Sequence, residues 1–418
     1  MADQELERYV RQMRWQLERM PISRRGFMWA SAMSATAAFL AACNSGGGAA
    51  TAAPSSAAPS TAPTSAPSAS EAAVESLGPE PSFEVPPDIE KELFMYNWGD
   101  YVDPNNMKQF QEVFGVDKFT YDTFANNDEM MAKFQGGATG QWDICCPTMN
   151  YVPALRDQGF IQKLDKSRIP NLKYMDKAFK GQYWDPTDEY SVPKDWGTTG
   201  ISVRTKDVKE DVKTWRQFLD LIPQYSGKVV FVDSPDDVFI APLKANGYSL
   251  NSGVKEELDK AREELLKVAP HILALDSDQY NTKIETEEAV LGLTWTGGIL
   301  ELRDKPETAD TVYTIPGDGT VFWLDTWVVL SEPPHPVAGH AFINFIHEPH
   351  IQAIETETNR YATPDSAAKQ FIDPKMLSDP ALFVADDVVA KLEPQKDNSG
   401  IKQRQDIWAE FKSKIGQG

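Results

Sequence analysis

Two short segments of the sequence place an aromatic side chain beside a carboxylate. Trp98 and Asp100 form the first pair, and Trp323 and Asp325 form the second. Alternate residues of an extended chain point to the same face, so each ring is expected to lie next to its carboxylate. An aromatic face attracts cations and covers methylene groups, while a carboxylate accepts charge-assisted hydrogen bonds from ammonium groups. The two pairs therefore predict a binding site for a flexible amine.

From about residue 93 onward, apolar β-like runs alternate with helical patterns, which favours an α/β fold. The clearest β-like runs are residues 93–96, 229–232, 290–295 and 321–329, and the clearest helical pattern is residues 254–268. Ligands bind beyond the carboxyl ends of the strands in open α/β sheets. Four polar or aromatic residues stand at the ends of such runs and are expected to line a cleft: Trp98, Thr148, Asp237 and Trp295.

The N-terminal segment resembles an export signal followed by a lipid anchor. Arg24 and Arg25 resemble the twin-arginine export motif, and the apolar run that follows, residues 28–40, is too short to span a bilayer. Cys43 comes after Leu-Ala-Ala, as in a bacterial lipoprotein cleavage site. On that resemblance residues 1–42 are a signal peptide and Cys43 becomes the lipidated first residue. The alternative is a chance cysteine after an apolar helix.

Residues 43–90 are dominated by Ala, Ser, Thr, Pro and Gly and contain almost no bulky side chains. Such a segment cannot bury enough surface to fold, and we interpret it as a tether with a root-mean-square span of about 35 to 40 Å. The remainder, residues 91–418, is long enough for two lobes of ordinary size. The whole chain carries a formal net charge of −21, which disfavours nucleic acid as a partner.

Few residues favour catalysis or metal binding. Cys145 and Cys146 are adjacent in an apolar run, where two buried thiols are the favoured interpretation and a strained vicinal disulfide is the alternative. The spacing of His340, His347 and His350 does not match a helical zinc motif, and no phosphate-binding loop or nucleophile elbow is present. The sequence therefore predicts neither an enzyme nor a bound metal or cofactor.

From residue 92 to residue 415 the sequence resembles the periplasmic spermidine/putrescine-binding proteins of polyamine ABC importers. Four segments carry the resemblance: Asn97-Trp98 with Tyr101, residues 159–165, residues 322–325 and residues 361–364. The resemblance implies an α/β, two-lobed periplasmic-binding-protein fold of the type II kind, with crossover hinge strands and a ligand cleft between the lobes. Lobe 1 would contain residues 91–200 and 322–370, and lobe 2 would contain residues 201–321 and 371–418.

The resemblance also implies which residues line the site. The aromatic positions of the family fall on Trp98, Tyr101, Trp295, Trp323 and Tyr361. Its acidic positions fall on Asp100, Ser234, Asp237 and Asp325. Neutral hydrogen bonds would come from Thr148, Ser234 and Gln395.

Three positions depart from the family pattern. Gly99 stands where a hydroxyl residue is common, Asn150 stands where an aromatic residue is expected, and Ser234 replaces an acid. Asp233 would restore the missing carboxylate after a small backbone shift. If Asp233 does not take this role, the site has one fewer negative charge than the family pattern, which favours diamines over triamines.

These features predict a monomeric extracytoplasmic lipoprotein, anchored through Cys43 in the periplasm or on the outer face of the cytoplasmic membrane. It would capture spermidine or putrescine and deliver it to an ABC permease with its cytoplasmic ATPase. Two alternatives stay open. The first is a solute-binding protein for a sugar or a quaternary amine, and the second is a polyamine receptor that feeds a membrane signalling partner.

Overall fold

The computed structural model describes residues 83–398 and 400–417. The predicted signal peptide, Cys43 and most of the predicted tether lie outside these residues. Within the described ranges no helix is both long enough and apolar enough to cross a membrane.

Ten strands in the described part of the chain form one connected sheet with the order β2-β1-β3-β9-β4-β7-β5-β6, in which β10 also pairs with β9 and β8 with β4. The strands are β1 (Glu92–Asn97), β2 (Lys118–Thr123), β3 (Ile144–Cys145), β4 (Ser191–Arg204), β5 (Val229–Phe231), β6 (Ala274–Leu275), β7 (Leu291–Trp295), β8 (Thr311–Thr314), β9 (Val321–Val329) and β10 (Glu393–Pro394).

The helices that cover this sheet are α1 (Pro104–Phe114), α2 (Asn127–Gln135), α3 (Val152–Asp157), α4 (Trp215–Leu221), α5 (Pro235–Val238), α6 (Ile240–Ala245), α7 (Lys255–Val268), α8 (Tyr280–Glu285), α9 (Thr296–Arg303), α10 (Pro336–Ile346), α11 (Pro349–Asn359), α12 (Pro374–Leu377), α13 (Asp386–Val389) and α14 (Lys402–Lys412). Strands and helices alternate along most of the chain, as the sequence predicted.

Helix α1 illustrates how local sequence sets these elements. The Asp103 side chain accepts hydrogen bonds from the backbone N–H groups of Asn105 and Asn106, which caps the first turn. Phe110 and Phe114 bury one face of the helix. Gly115 ends it with a left-handed backbone, φ 67°, that glycine adopts at little cost.

Strand β4 connects two halves of the sheet. Residues 191–198 pair with β9, residues 199–203 pair with β7, and residues 201–204 pair with β8. In one half β1 runs parallel to β2 and β3, and in the other β5 runs parallel to β6 and β7. Every residue of β4 is buried, so the strand lies at the centre of the described structure.

The apolar run that contains Cys145 and Cys146 forms a strand only at Ile144–Cys145. Trp142 instead follows a short helical turn, and its indole N–H donates to Asp122 Oδ2 at 2.7 Å. Cys145 and Cys146 are free, buried thiols, which confirms the favoured interpretation over a disulfide. Burial raises the pKa of both thiols.

Candidate functional site

The carboxyl ends of the strands bring the predicted site residues together. Trp98 directly follows β1, Thr148 comes shortly after β3, and Trp295 is the last residue of β7. Asp237 lies in α5, which begins shortly after β5. These four residues therefore stand at strand ends, as expected for a ligand cleft of an open α/β sheet.

The five predicted aromatic residues form two groups of rings in edge-to-face contact. The ring centroids of Trp98 and Trp295 are 5.8 Å apart with planes at 76°. Tyr361 contacts both Tyr101, at 5.7 Å and 71°, and Trp323, at 4.9 Å and 79°. These separations and angles are those that aromatic pairs prefer, so the rings hold one another in place.

Tyr280 extends the group of rings formed by Trp98 and Trp295, and the sequence did not identify it. Its ring lies 5.9 Å from that of Trp295 at 88°. A Cβ added to Gly298 would lie 2.5 Å from the Tyr280 hydroxyl oxygen, so only glycine leaves room for this ring. Gly297 likewise allows a close approach, because a Cβ at that position would lie 2.6 Å from Tyr361 Cζ.

Gly197 provides the corresponding space under Trp323. A Cβ at this position would lie 2.6 Å from Trp323 Cζ2 and 2.8 Å from Cη2. The two residues are direct partners in the pairing of β4 with β9. Trp323 thus rests against bare backbone, which fixes the plane of its ring.

Replacing Gly197 with Ala is expected to push the Trp323 ring aside and to weaken ligand binding by about fivefold. Calorimetric titration would measure the affinity, and tryptophan fluorescence would report the moved ring. Gly140→Ala is a matched control, because the nearest atom to its new Cβ is 3.7 Å away. Equal affinities for the two variants would show that Trp323 needs no such support.

Asp325 is the central carboxylate of the site. It stands directly opposite Asp195 in the pairing of β9 with β4. The Tyr101 hydroxyl lies within hydrogen-bonding distance of both carboxylates, 2.7 Å from Asp325 Oδ2 and closer still to Asp195 Oδ1. One hydroxyl proton serves only one of them at a time, so the two carboxylates share a single donor.

Burial raises the pKa of Asp325 to about 7, and repulsion from Asp195 acts in the same direction. The hydroxyl groups of Tyr101 and Thr148 and the charge of Lys194 partly oppose this rise. Asp325 is 6% exposed, and among the described residues its Oδ1 has no hydrogen-bond partner. A cationic donor placed there would satisfy an oxygen that is otherwise costly to bury.

Asp237 forms a second buried carboxylate at the other aromatic group. Its Oδ2 accepts from Trp295 Nε1 at 3.3 Å, and its Oδ1 accepts from the Thr199 hydroxyl. Burial raises its pKa, while its hydrogen-bond donors oppose the rise. Ser234 caps α5, because its Oγ accepts from the Asp237 backbone N–H at 3.4 Å. The residue that replaces the family's acid therefore supports the helix that carries Asp237.

Asp100 does not share a face with Trp98, so that part of the sequence expectation is wrong. Strand β1 ends at Asn97, and Asp100 has a left-handed backbone with φ 53° and an exposed side chain. The extended geometry that aligns alternate residues is therefore lost between the two positions. The motif at Trp323 and Asp325 keeps that geometry, because both residues lie inside β9.

Asp100 instead belongs with two other carboxylates, which we call the outer acids: Asp100, Asp233 and Asp278. Partial burial raises the pKa of Asp278, and the charges of Asp276, Glu129, Asp100 and Asp233 add to the rise. Asp233 is half-buried, and its Oδ1 has no partner within the described ranges. Asp278 was missed by the sequence analysis.

Two of the predicted neutral residues, Thr148 and Gln395, are buried, whereas Ser234 is half-buried. Thr148 Oγ1 accepts from Asn127 Nδ2 at 2.9 Å, and residue 148 forms an isolated bridge with Asp325. Gln395 is buried, and its backbone carbonyl accepts from the Tyr183 hydroxyl. Asn150, one of the departures from the family pattern, donates from Nδ2 to an oxygen of Asp236 at 3.3 Å.

Lys194 and Asp195 are the largest omission of the sequence analysis. They form an ion pair of 2.6 Å, with side chains 1% and 2% exposed, inside the fully buried strand β4. The available signal was the presence of two adjacent charges in an otherwise strand-like run. In the described part of the chain, no group of three or more His, Cys, Asp or Glu side chains is placed to hold a metal ion.

A protein-family model described as bacterial extracellular solute-binding protein matches residues 106–384. The chain belongs to this family. Among its relatives, the spermidine/putrescine-binding periplasmic protein of Salmonella typhimurium is 31% identical over 327 residues, which cover 78% of this chain and 92% of that protein. A putrescine/cadaverine-binding protein of Pseudomonas aeruginosa is 29% identical over 343 residues, which cover 77% and 94%.

Solved structures agree with this membership. A protein of Listeria monocytogenes described as a spermidine/putrescine ABC transporter superposes with a TM-score of 0.73 at 30% identity, covering 77% of this chain and 99% of that chain. The resemblance stated from the sequence and the two-lobed α/β fold of periplasmic binding proteins are thereby confirmed. As an extracellular solute-binding protein, the chain works outside the cytoplasm and is a binding protein, not an enzyme.

Proposed function

We propose that this solute-binding protein captures a polyamine outside the cytoplasm and delivers it to an ABC importer. The observation that carries the proposal is the buried Asp325 carboxylate, whose Oδ1 lacks a partner among the described residues. It lies on the same strand as Trp323 and accepts a hydrogen bond from the Tyr101 hydroxyl, so two aromatic residues of the site lie beside it. An ammonium group would supply the missing charge and hydrogen bond, and the rings would cover its methylene groups.

The arrangement of the two aromatic groups supports a proposal for the ligand contacts. Methylene groups and cations would lie among Trp98, Tyr101, Trp295, Trp323 and Tyr361. Ammonium groups would pair with Asp237 and Asp325, with Asp100 closer to the solvent. Neutral hydrogen bonds would come from Thr148, Ser234 and Gln395.

We assign residues 91–200 and 322–370 to lobe 1 and residues 201–321 and 371–418 to lobe 2. The pairing of β4 with strands of both halves of the sheet supports a boundary near residue 200. A ligand that contacts both lobes would stabilise the closed form by its differential affinity for that form.

The partner and the anchor complete the proposal. The names of the relatives support a transport role, in which a permease with a cytoplasmic ATPase receives the ligand. Residues 1–42 would direct export, Cys43 would carry the lipid, and residues 43–90 would tether a monomeric binding domain to the membrane. The assignments of the export signal, the lipid anchor and the tether are based on the sequence motifs.

Calorimetric titration of the purified protein with putrescine and with spermidine tests the proposal. We expect at least one of them to bind with a dissociation constant of about 1 μM or lower, which corresponds to about 8 kcal/mol. Folded protein that binds neither amine would contradict the proposal. Binding of maltose or glycine betaine in that case would identify the family site as one for another solute.

Loss of amine uptake after deletion of the gene would establish transport. Unchanged uptake combined with amine binding by the protein would favour the receptor role instead.

A further inference from the structure

A lysine is buried inside the site that we assign to the amine. The register of β4 against β9 shifts between Pro193 and Asp195, and the shift leaves Lys194 without a partner on β9. Asp195 is brought opposite Asp325 by the same shift. Side chains of directly opposed residues leave the same face of a sheet, so the two carboxylates face one space.

The Lys194 ammonium makes the contacts that a ligand ammonium would make. Its Nζ lies 2.6 Å from Asp195 Oδ2 and 3.6 Å from the centroid of the Tyr101 ring. Burial disfavours its charge, but attraction to Asp195 and Glu355 outweighs burial and raises the pKa of Lys194. One ring face and one buried carboxylate are therefore occupied by an amine of the protein itself.

Glu355 is the second carboxylate near Lys194, and it has donors of its own. Its Oε1 accepts from Asn106 Nδ2 at 2.7 Å and from the backbone N–H of Asp103 at 3.0 Å. Burial raises the pKa of Glu355 to about 7, so a large fraction of it is neutral near that pH. Asp195 is accordingly the main counter-charge of Lys194.

A count of charges then limits the ligand. Three buried carboxylates contact donors from the aromatic or polar residues of the site: Asp195, Asp237 and Asp325. Lys194 balances the first. Asp237 and Asp325 are the two carboxylates left for the ligand, and Asp325, whose pKa is raised to about 7 in the empty site, becomes fully ionised when an ammonium group binds. Ser234 adds none, because it is uncharged and caps α5. A ligand with two ammonium groups matches this balance among the buried carboxylates. A third ammonium would need either the place that Lys194 already fills or the more solvent-exposed outer acids.

We propose that Lys194 is a built-in ammonium group that makes the site selective for diamines over triamines, an inference that rests on the proposed amine-binding function. A purely structural ion pair predicts something different. Breaking such a pair destabilises the fold and weakens both amines alike, because it leaves a buried charge without its partner. The ratio of the putrescine and spermidine affinities therefore distinguishes a role of Lys194 in selectivity from a purely structural role.

The experiment measures putrescine and spermidine affinities by calorimetry for the wild type, Lys194→Met and the double variant Lys194→Met/Asp195→Asn. We expect the wild type to bind putrescine at least about fivefold more tightly than spermidine. Lys194→Met frees Asp195 for a third ammonium and should shift the ratio toward spermidine by at least about fivefold. The double variant removes both charges and should return the ratio to within about twofold of wild type.

Lys305→Met is the matched control, because its ammonium pairs with Glu285 at 3.1 Å outside the site; its ratio should equal that of the wild type. Thermal unfolding identifies any variant that does not fold. If Lys194→Met does not fold, the affinity ratios of the wild type and of the double variant test the inference. Tighter binding of spermidine than of putrescine by the wild type would overturn the inference and would indicate that the outer acids bind the third ammonium group. An unchanged ratio in folded Lys194→Met would overturn it as well. Binding of neither amine by the wild type would instead refute the proposed function.

Discussion

Replacing Asp325 with Asn is expected to weaken polyamine binding by about 100-fold. The change removes one negative charge at the oxygen that has no partner among the described residues. An ammonium group would then be buried against a neutral amide and would lose a charge-assisted hydrogen bond. Asn has the same shape and still accepts from the Tyr101 hydroxyl, so the effect should fall on binding. Calorimetric titration with putrescine and spermidine measures it.

The same variant should keep or gain thermal stability. Asp325 is buried opposite Asp195, and its raised pKa reflects the cost of holding a charge there. A neutral amide removes that repulsion. Asp211→Asn is the control, because this exposed residue forms a surface ion pair with Lys213, at 2.8 Å, within the described part of the chain. Unchanged amine affinity in Asp325→Asn would refute the central role that we assign to this carboxylate.

The parts of the site that lie inside regular strands were predictable from the sequence. Trp323 and Asp325 share a face because β9 is continuous from Val321–Val329, and a strand of that length and composition is evident from its apolar run. Trp295 and Thr148 stand at or just after strand ends that the same pattern reveals. Local hydrophobic patterning determines these positions, and it is visible in a single sequence.

The geometry after β1 was not predictable, because distant residues determine it. The Tyr121 hydroxyl donates to the Trp98 carbonyl at 2.6 Å and accepts from the Tyr101 N–H at 3.3 Å. These bonds turn the chain over Gly99 and Asp100 into a tight bend. Nothing in the local sequence indicates that a tyrosine of the neighbouring strand would hold it.

Lys194 and Asp195 escaped prediction for a related reason. Charged residues in a strand normally indicate a solvent-exposed face, whereas here the strand crosses the centre of the sheet and is buried along its whole length. Their role depends on Tyr101 and Asp325, which lie far away in the sequence. Asp325 meets Asp195 through the pairing of β4 with β9, and Tyr101 reaches Asp195 from the segment after β1. Contacts between distant segments of the chain form this part of the site, and a local sequence pattern does not reveal them.

Amine affinity is expected to rise by about tenfold between about pH 6 and about pH 8. In the empty site the pKa of Asp325 is raised to about 7, so at the lower pH the carboxyl group is mainly protonated. An ammonium group stabilises the ionised form and lowers that pKa, so binding releases a proton. Affinity therefore increases as the pH rises through 7 and levels off above it. Aliphatic ammonium groups, with pKa values of about 10, stay charged over this range.

Titrations in buffers with different ionisation enthalpies count the released protons directly. The wild type should release close to one proton at about pH 6 and almost none at about pH 8. Asp236 and Glu355 also have pKa values raised by burial to about 7, so they are the competing sources. Asp325→Asn separates them: its proton release should vanish if Asp325 is the source and persist if either of the others is. A flat affinity from pH 6 to pH 8 in the wild type would mean that Asp325 is already ionised before the amine arrives.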